Sequence, residues 1–245
     1  MENRIYNRTR ELIENYIDFI KVLHNTPIEA NVSIDNLLKL KSVLSDVNNV
    51  MTLLTTRSVA EQLTKELQMN PDVREKVFQY IDGRKPNTNG FDIQISTTDE
   101  IQISAPAGIL VEVKCNSLVH GKKLSADQIN AILEDARKLR LEALRCKKVS
   151  QNIPDTKNYI KIVALVNFSS KPNEDLISQI TRETICRETT NPARKERMKV
   201  KKFLKPLSSF SQIKEITELD NVYIIVLSKD DLKKELERIK SEYLH

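Results

Sequence analysis

Apolar residues recur at helical spacing near the start of the chain: Ile5, Leu12, Ile13, Tyr16, Ile17 and Ile20 form one stripe over residues 4–23. A second helical stretch is predicted over 33–54, with Ser33 as N-cap and Asp35 in the first turn. A third is predicted to begin at Ser58, whose hydroxyl would pair with Glu61 in a capping box. Residues 69–90 read as a turn-rich approach. The period then drops from helical to two. "FDIQIS" (91–96) and "IQISA" (101–105) alternate as strands around the polar turn "TTDE", and "GILVEVKC" (108–115) is a third strand entered through "PAG". A long amphipathic helix capped by Ser125 follows, then the apolar strand "YIKIVALVNF" (159–168). Residues 175–185 are helical, 193–204 form a basic stretch, 221–227 give one more strand, and a helix capped by Ser228 closes the chain. This order predicts an α/β fold, a mixed central sheet flanked by helices. An N-terminal helical region (1–56) would precede the main domain (57–245), whose core spans about 57–168 and whose basic and C-terminal elements fill 169–245.

The charges on the strands change this picture. Residues two apart in a strand point to one face, so Glu112 and Lys114 share a face while Val111, Val113 and Cys115 share the other. Asp92 opens an earlier strand of the expected meander, and all three charges meet if the strands join one sheet. Two adjacent carboxylates repel, and their natural compensation is a hard divalent cation such as Mg²⁺. A lysine beside such an ion orients a water or stabilises charge on a phosphoryl group. The alternative is an ordinary Glu112–Lys114 ion pair on a wet face. "ILVEVKC" is too apolar for that, because charge in a buried sheet is costly without a ligand.

Composition narrows the function classes. The 245 residues are 40% hydrophobic and 30% charged, as in a folded globular protein. No apolar run is long enough to span a membrane, and the N-terminus lacks a signal peptide's apolar core, so a cytoplasmic protein is expected. The four glycines form neither a dinucleotide-binding nor a P-loop motif. Cys115, Cys146 and Cys186 are too scattered for a disulfide framework or zinc site, and His24, His120 and His245 are equally dispersed. The net charge of +5 leans weakly towards a polyanionic partner.

"FD" at 91–92, a spacer of nineteen residues after Asp92, and "EVK" at 112–114 resemble the signature of the PD-(D/E)xK nuclease superfamily, which includes type II restriction endonucleases, Holliday-junction resolvases and recombination nucleases. The shared core of that superfamily, a helix, a three-strand meander, a helix and a further strand, has the order read above. The resemblance covers roughly 57–168, and Phe91 replaces the proline that names the motif. It implies a restriction-endonuclease-like fold and Mg²⁺-dependent hydrolysis of DNA phosphodiesters, with Mn²⁺ a substitute. Asp92 and Glu112 would ligate the metal, the Val113 carbonyl would be a further ligand, and Lys114 would act on the attacking water. Glu61, with Glu66 second, is the candidate for a glutamate that many members carry on the preceding helix, although a capping role for Glu61 fits as well. Gln128 resembles a glutamine of the following helix, where an ordinary helix-start role competes with it.

A nuclease must grip a phosphate backbone. Residues 182–205 hold nine Lys or Arg against three Glu. Arg194, Lys195, Arg197, Lys199, Lys201 and Lys202 are therefore expected phosphate contacts, with Lys122 and Lys123 touching DNA after the catalytic strand. The partner expected is double-stranded DNA, and a homodimer is expected from the class if the enzyme cuts a palindrome. The competing readings are a repair, recombination or mobile-element nuclease, a non-catalytic nucleic-acid-binding protein on the same fold, and a protein-interaction module.

Overall fold

Helix α1 runs without a break over Ile34–Glu66 in the computed structural model, which describes residues 34–84, 90–96, 103, 107–115, 124–141, 156–168, 172–182 and 199–243. The two helices expected on either side of Thr56 are therefore one, and the boundary expected at 56/57 falls inside it. "TTRS" contains no Gly or Pro to break the helix, Thr55 and Thr56 satisfy their hydroxyls on the carbonyls of Met51 and Thr52, and burial of Thr55, Thr56, Arg57 and Ser58 holds the two halves in one element. Ser58 is buried in mid-helix and caps nothing. The helix ends where Gln68 takes a positive φ of 52° and Met69 N–H closes onto Thr64 O, a Schellman-type stop made without glycine.

The segment expected to be turns contains helix α2 (Pro71–Gly83). Asn70 accepts a hydrogen bond from Asp72 N–H, Pro71 occupies the first turn and Asp72 faces the helix dipole, so the start signal was present in "NPD". Val77 and Ile81, four apart, are its buried positions.

Five strands form the sheet: β1 (Ile93–Ser96), β2 (Gly108–Lys114), β3 (Tyr159–Asn167), β4 (Leu204–Pro206) and β5 (Val222–Ser228). Their spatial order is β1-β2-β3-β5-β4. β1 is antiparallel to β2, and β2, β3, β5 and β4 are mutually parallel. The short β4 was read only as a basic stretch. The strand expected at 101–105 lies outside the described residues apart from Ile103, which packs against the core. β1 pairs directly with β2, Ile93 opposite Val111 and Ser96 opposite Gly108. Gly108 makes this approach possible: its φ is +126°, and a Cβ there would stand 1.9 Å from Ile95 O.

Helices α3 (Ala126–Leu141), α4 (Asn173–Thr181) and α5 (Lys229–Tyr243) complete the architecture. β2 alternates between two cores. Ile109, Val111 and Val113 face α1, α2, α5 and the 3₁₀ turn Phe210–Glu215, while Leu110 faces α3 and α4. The expected caps of α3 and α5 are present. Ser125 and Gln128 bond each other's backbone N–H reciprocally, and Ser228 and Asp231 do the same. The chain is thus a mixed α/β fold with a mostly parallel five-stranded sheet between helices. Among the described residues no helix is long and apolar enough to cross a membrane. The helical stripe at 4–23 lies outside the described residues, as do His24, His120, His245, Cys146 and Cys186.

Candidate active site

The antiparallel register that sets Ile93 opposite Val111 carries Asp92, one residue earlier, opposite Glu112. Directly opposed residues share a face. Asp92 Oδ2 accepts the Val113 N–H at 2.7 Å, which fixes its carboxyl against β2 just past the end of the β1 ladder. Glu112 lies directly across from it, and Lys114 and Arg84 add their positive fields. The three residues expected to meet, Asp92, Glu112 and Lys114, do so. They meet at the carboxyl end of parallel strands, where open α/β sheets commonly bind ligands.

The electrostatics follow from burial. Glu112 is 8% exposed, on the face that β2 turns towards α3. Burial pushes the Asp92 carboxyl above its ordinary value of 3.8, against the opposing pull of the Val113 N–H, Arg84 and Lys114. Two carboxyls directly opposed on neighbouring strands share a proton or take a cation between them. An N–H and C=O of one strand residue point to the same edge, so the Val113 carbonyl faces the Asp92 side with its N–H. Asp92, Glu112 and that carbonyl are hard oxygen donors on one edge. Among the described residues, no group of three or more His, Cys, Asp and Glu gathers as a metal-holding cluster. Two carboxylates nevertheless fit Mg²⁺, which keeps several waters and takes its remaining ligands from substrate phosphate.

A raised carboxyl pKa has a definite sign in stability. The contribution of Asp92 is fully present below its unfolded value and is lost as pH rises through the folded value, so at neutral pH the ionised, desolvated Asp92 carboxylate is a cost. Asp92→Asn keeps an oxygen for the Val113 N–H and offers an N–H to Glu112. The variant should melt higher than the wild type at pH 7 without divalent ions, by about 2–4 °C for each kcal/mol recovered. Added Mg²⁺ should raise the wild-type melting temperature and leave the variant's unchanged. Thermal denaturation with and without the ion reads both effects, and a variant that melts lower would contradict the cost assigned to burying this carboxylate.

The other expected site residues that the structure describes do not join the cluster. Glu61 is held by Arg74 at 2.5 Å with Arg238 at 3.9 Å, on a helix that packs against the opposite face of the sheet from Glu112. Neither a capping box nor the cluster takes it. Gln128 is engaged in the Ser125 capping box. Lys199, Lys201 and Lys202 lie just before β4, at the far edge of the sheet, and Lys201 donates to Arg182 O. Three strand spacings, about 14 Å, separate β4 from β2. Lys122, Lys123, Arg194, Lys195 and Arg197 lie outside the described residues.

Two residues were missed by the sequence reading. Arg84 follows α2, donates to Phe91 O and acts on Asp92. Its position was unreadable once α2 was taken for turns. Asp135, only 3% exposed, comes from α3 to within 2.7 Å of Lys114 Nζ. Its signal was a lone acid among Ile132, Leu133, Ala136 and Leu139 on the buried stripe of an otherwise regular amphipathic helix. No family model, curated protein or solved structure matches the chain.

Proposed function

We propose that this chain is a Mg²⁺-dependent endonuclease of the PD-(D/E)xK type that hydrolyses DNA phosphodiester bonds, cutting a specific duplex sequence as a restriction enzyme does. The observation that supports it is the opposed Asp92–Glu112 pair, with Asp92 fixed on the Val113 N–H and Lys114 beside it at one end of the sheet. A buried and a half-buried carboxyl next to an ammonium have little to offer a fold, because charge removed from water is costly without a ligand. They have much to offer a reaction that builds negative charge on phosphoryl oxygens.

In this reading Asp92, Glu112 and the Val113 carbonyl hold the ion. Bound there, Mg²⁺ would neutralise the pair and polarise a phosphoryl oxygen. The Lys114 ammonium is on the same face, where it orients the attacking water and opposes the charge that develops on phosphorus-bound oxygen. Arg84, anchored on Phe91 O, adds its positive field at Asp92. Water supplies the new P–O bond, the P–O bond to the leaving sugar breaks, and the departing oxygen takes up a proton. The lysines before β4 would contact phosphates away from the scissile one, positioning the duplex without reading sequence.

A plasmid-cleavage assay tests the proposal. With Mg²⁺ the wild type should convert unmodified supercoiled plasmid to discrete linear fragments, Mn²⁺ should substitute, and EDTA should stop the reaction. Preference for branched, nicked or single-stranded DNA would move the assignment to a repair or recombination nuclease. Failure to cut any of these substrates would remove the hydrolytic reading altogether.

A further inference from the structure

Lys114 does not stand free in the candidate site. Its ammonium lies 2.7 Å from Asp135 Oδ2, a charge contact rather than an aligned hydrogen bond, while Asp135 Oδ1 accepts from Lys138 at 3.1 Å. The carboxylate is 3% exposed, and it projects from α3 towards the sheet among Ile132, Leu133, Ala136 and Leu139. The two lysines are more open, with side-chain exposures of 32% and 21%. Asp135 is thus the fixed, desolvated partner, and the lysines are what it fixes.

Stability alone does not explain this arrangement. A buried ion pair exchanged as a whole for apolar residues of similar size is often neutral or stabilising, and Lys138, one turn along α3, already neutralises Asp135. Lys114 extends from the last residue of β2 on a flexible four-carbon stem. Its ammonium is in the field of Asp92 as well as in contact with Asp135. Without the second anchor the ammonium would be free to fold onto the Asp92–Glu112 pair and occupy the place a cation needs.

We infer that Asp135 is the positioning residue for Lys114, holding its ammonium off the Asp92–Glu112 pair so that cation and lysine act side by side on one phosphate. The inference rests on the hydrolytic reading above. Asp135 touches neither substrate nor metal in this scheme and acts only through Lys114.

The test combines kinetics with a measurement that needs no activity. Asp135→Asn should lower kcat about 10–100-fold, the usual cost of losing a partner that orients a reacting group, with KM for DNA unchanged. Asp135→Glu should restore most of the rate, and Lys138→Met should leave it within about twofold, which separates the Lys114 contact from the helix ion pair. In a Lys114→Ala background Asp135→Asn should cost nothing more, since the two act as one unit. An additive fall there, or an unchanged kcat in a folded Asp135→Asn protein, overturns the inference. Order parameters of the lysine ammonium groups, measured by ¹⁵N relaxation on wild-type protein, should show Lys114 restrained relative to exposed lysines such as Lys233. A Lys114 ammonium as mobile as those overturns the positioning role even if the Asn variant does not fold. If the wild type cuts no DNA, the hydrolytic reading fails on its own, and a restrained Lys114 would then mark only a structural ion pair, which also overturns the inference.

Discussion

Lys114→Ala should reduce Mg²⁺-dependent cleavage by about 10²–10⁴-fold while the protein still binds DNA, the loss expected when a positioned proton-transfer or charge-stabilising group is removed. Binding should persist because most of the affinity for a nucleic acid comes from phosphate contacts, and one ammonium is a small part of the total. The substitution also leaves the buried Asp135 with Lys138 as its remaining cation, so some stability is lost with the activity. Lys114→Arg separates the two effects. Arginine keeps a positive charge against Asp135, but its broad planar fork cannot reproduce a compact ammonium beside the Asp92–Glu112 pair. It should therefore melt close to the wild type and still cut slowly. Single-turnover cleavage on plasmid, a filter-binding titration over a salt series, and a thermal melt of each variant decide the matter. A Lys114→Ala protein that cuts at the wild-type rate would remove Lys114 from the mechanism, and salt-independent binding would remove the phosphate contacts.

The site was legible because it depends on period-two spacing, the most local rule a strand obeys. Glu112 and Lys114 had to share a face once 108–115 was a strand, and Asp92 had only to reach the neighbouring ladder. The three-strand meander was not needed to bring them together, since β1 pairs with β2 itself. What could not be read were choices set by tertiary packing. Thr55–Ser58 carry no breaker, so nothing local decided between two helices and one; burial of Thr55, Thr56, Arg57 and Ser58 against the sheet and α5 decided it. Pro71 opened a helix where it had been taken as part of a turn, and the loss of α2 hid Arg84. Glu61 showed the spacing of a cap and the chemistry of a ligand, yet Arg74 from the missed helix claims it. Asp135 was hidden differently: its partner is distant in sequence, and only the packing of α3 on β2 joins them.

Arg57→Ala should cost about 3–5 kcal/mol of stability, because it removes the cation at the centre of a buried network, leaving Asp82 without its ion-pair partner and Glu235 with one cation in place of two. Arg57 is 3% exposed in the middle of α1. Its Nε donates to Glu235 of α5 at 3.0 Å and its Nη1 to Asp82 of α2 at 2.5 Å, while the guanidinium lies 4.8 Å from the centre of the Phe78 ring. Glu235, also 3% exposed, would keep only Arg238, which bonds it at 2.7 and 2.9 Å. Asp82 already has one oxygen without a hydrogen bond and would lose its ion-pair partner on the other. For a chain of this size the predicted loss corresponds to a fall in melting temperature of about 6–20 °C. Arg57→Lys should recover little, since a single ammonium cannot serve Glu235 and Asp82 with the fork geometry of arginine. Urea unfolding of the single variants and of Arg57→Ala with Glu235→Ala closes a double-mutant cycle, in which the second change should cost much less than the first. A single-variant loss below about 1 kcal/mol would put the network in the class of surface ion pairs. The consequence reaches the site, because Arg57 ties α2 to α1: α2 ends at Arg84, which grips Phe91 beside Asp92, and Thr55 of α1 contacts Cys115 next to Lys114. Loosening the clasp should therefore reduce cleavage in the Arg57→Ala protein even at temperatures where it remains folded.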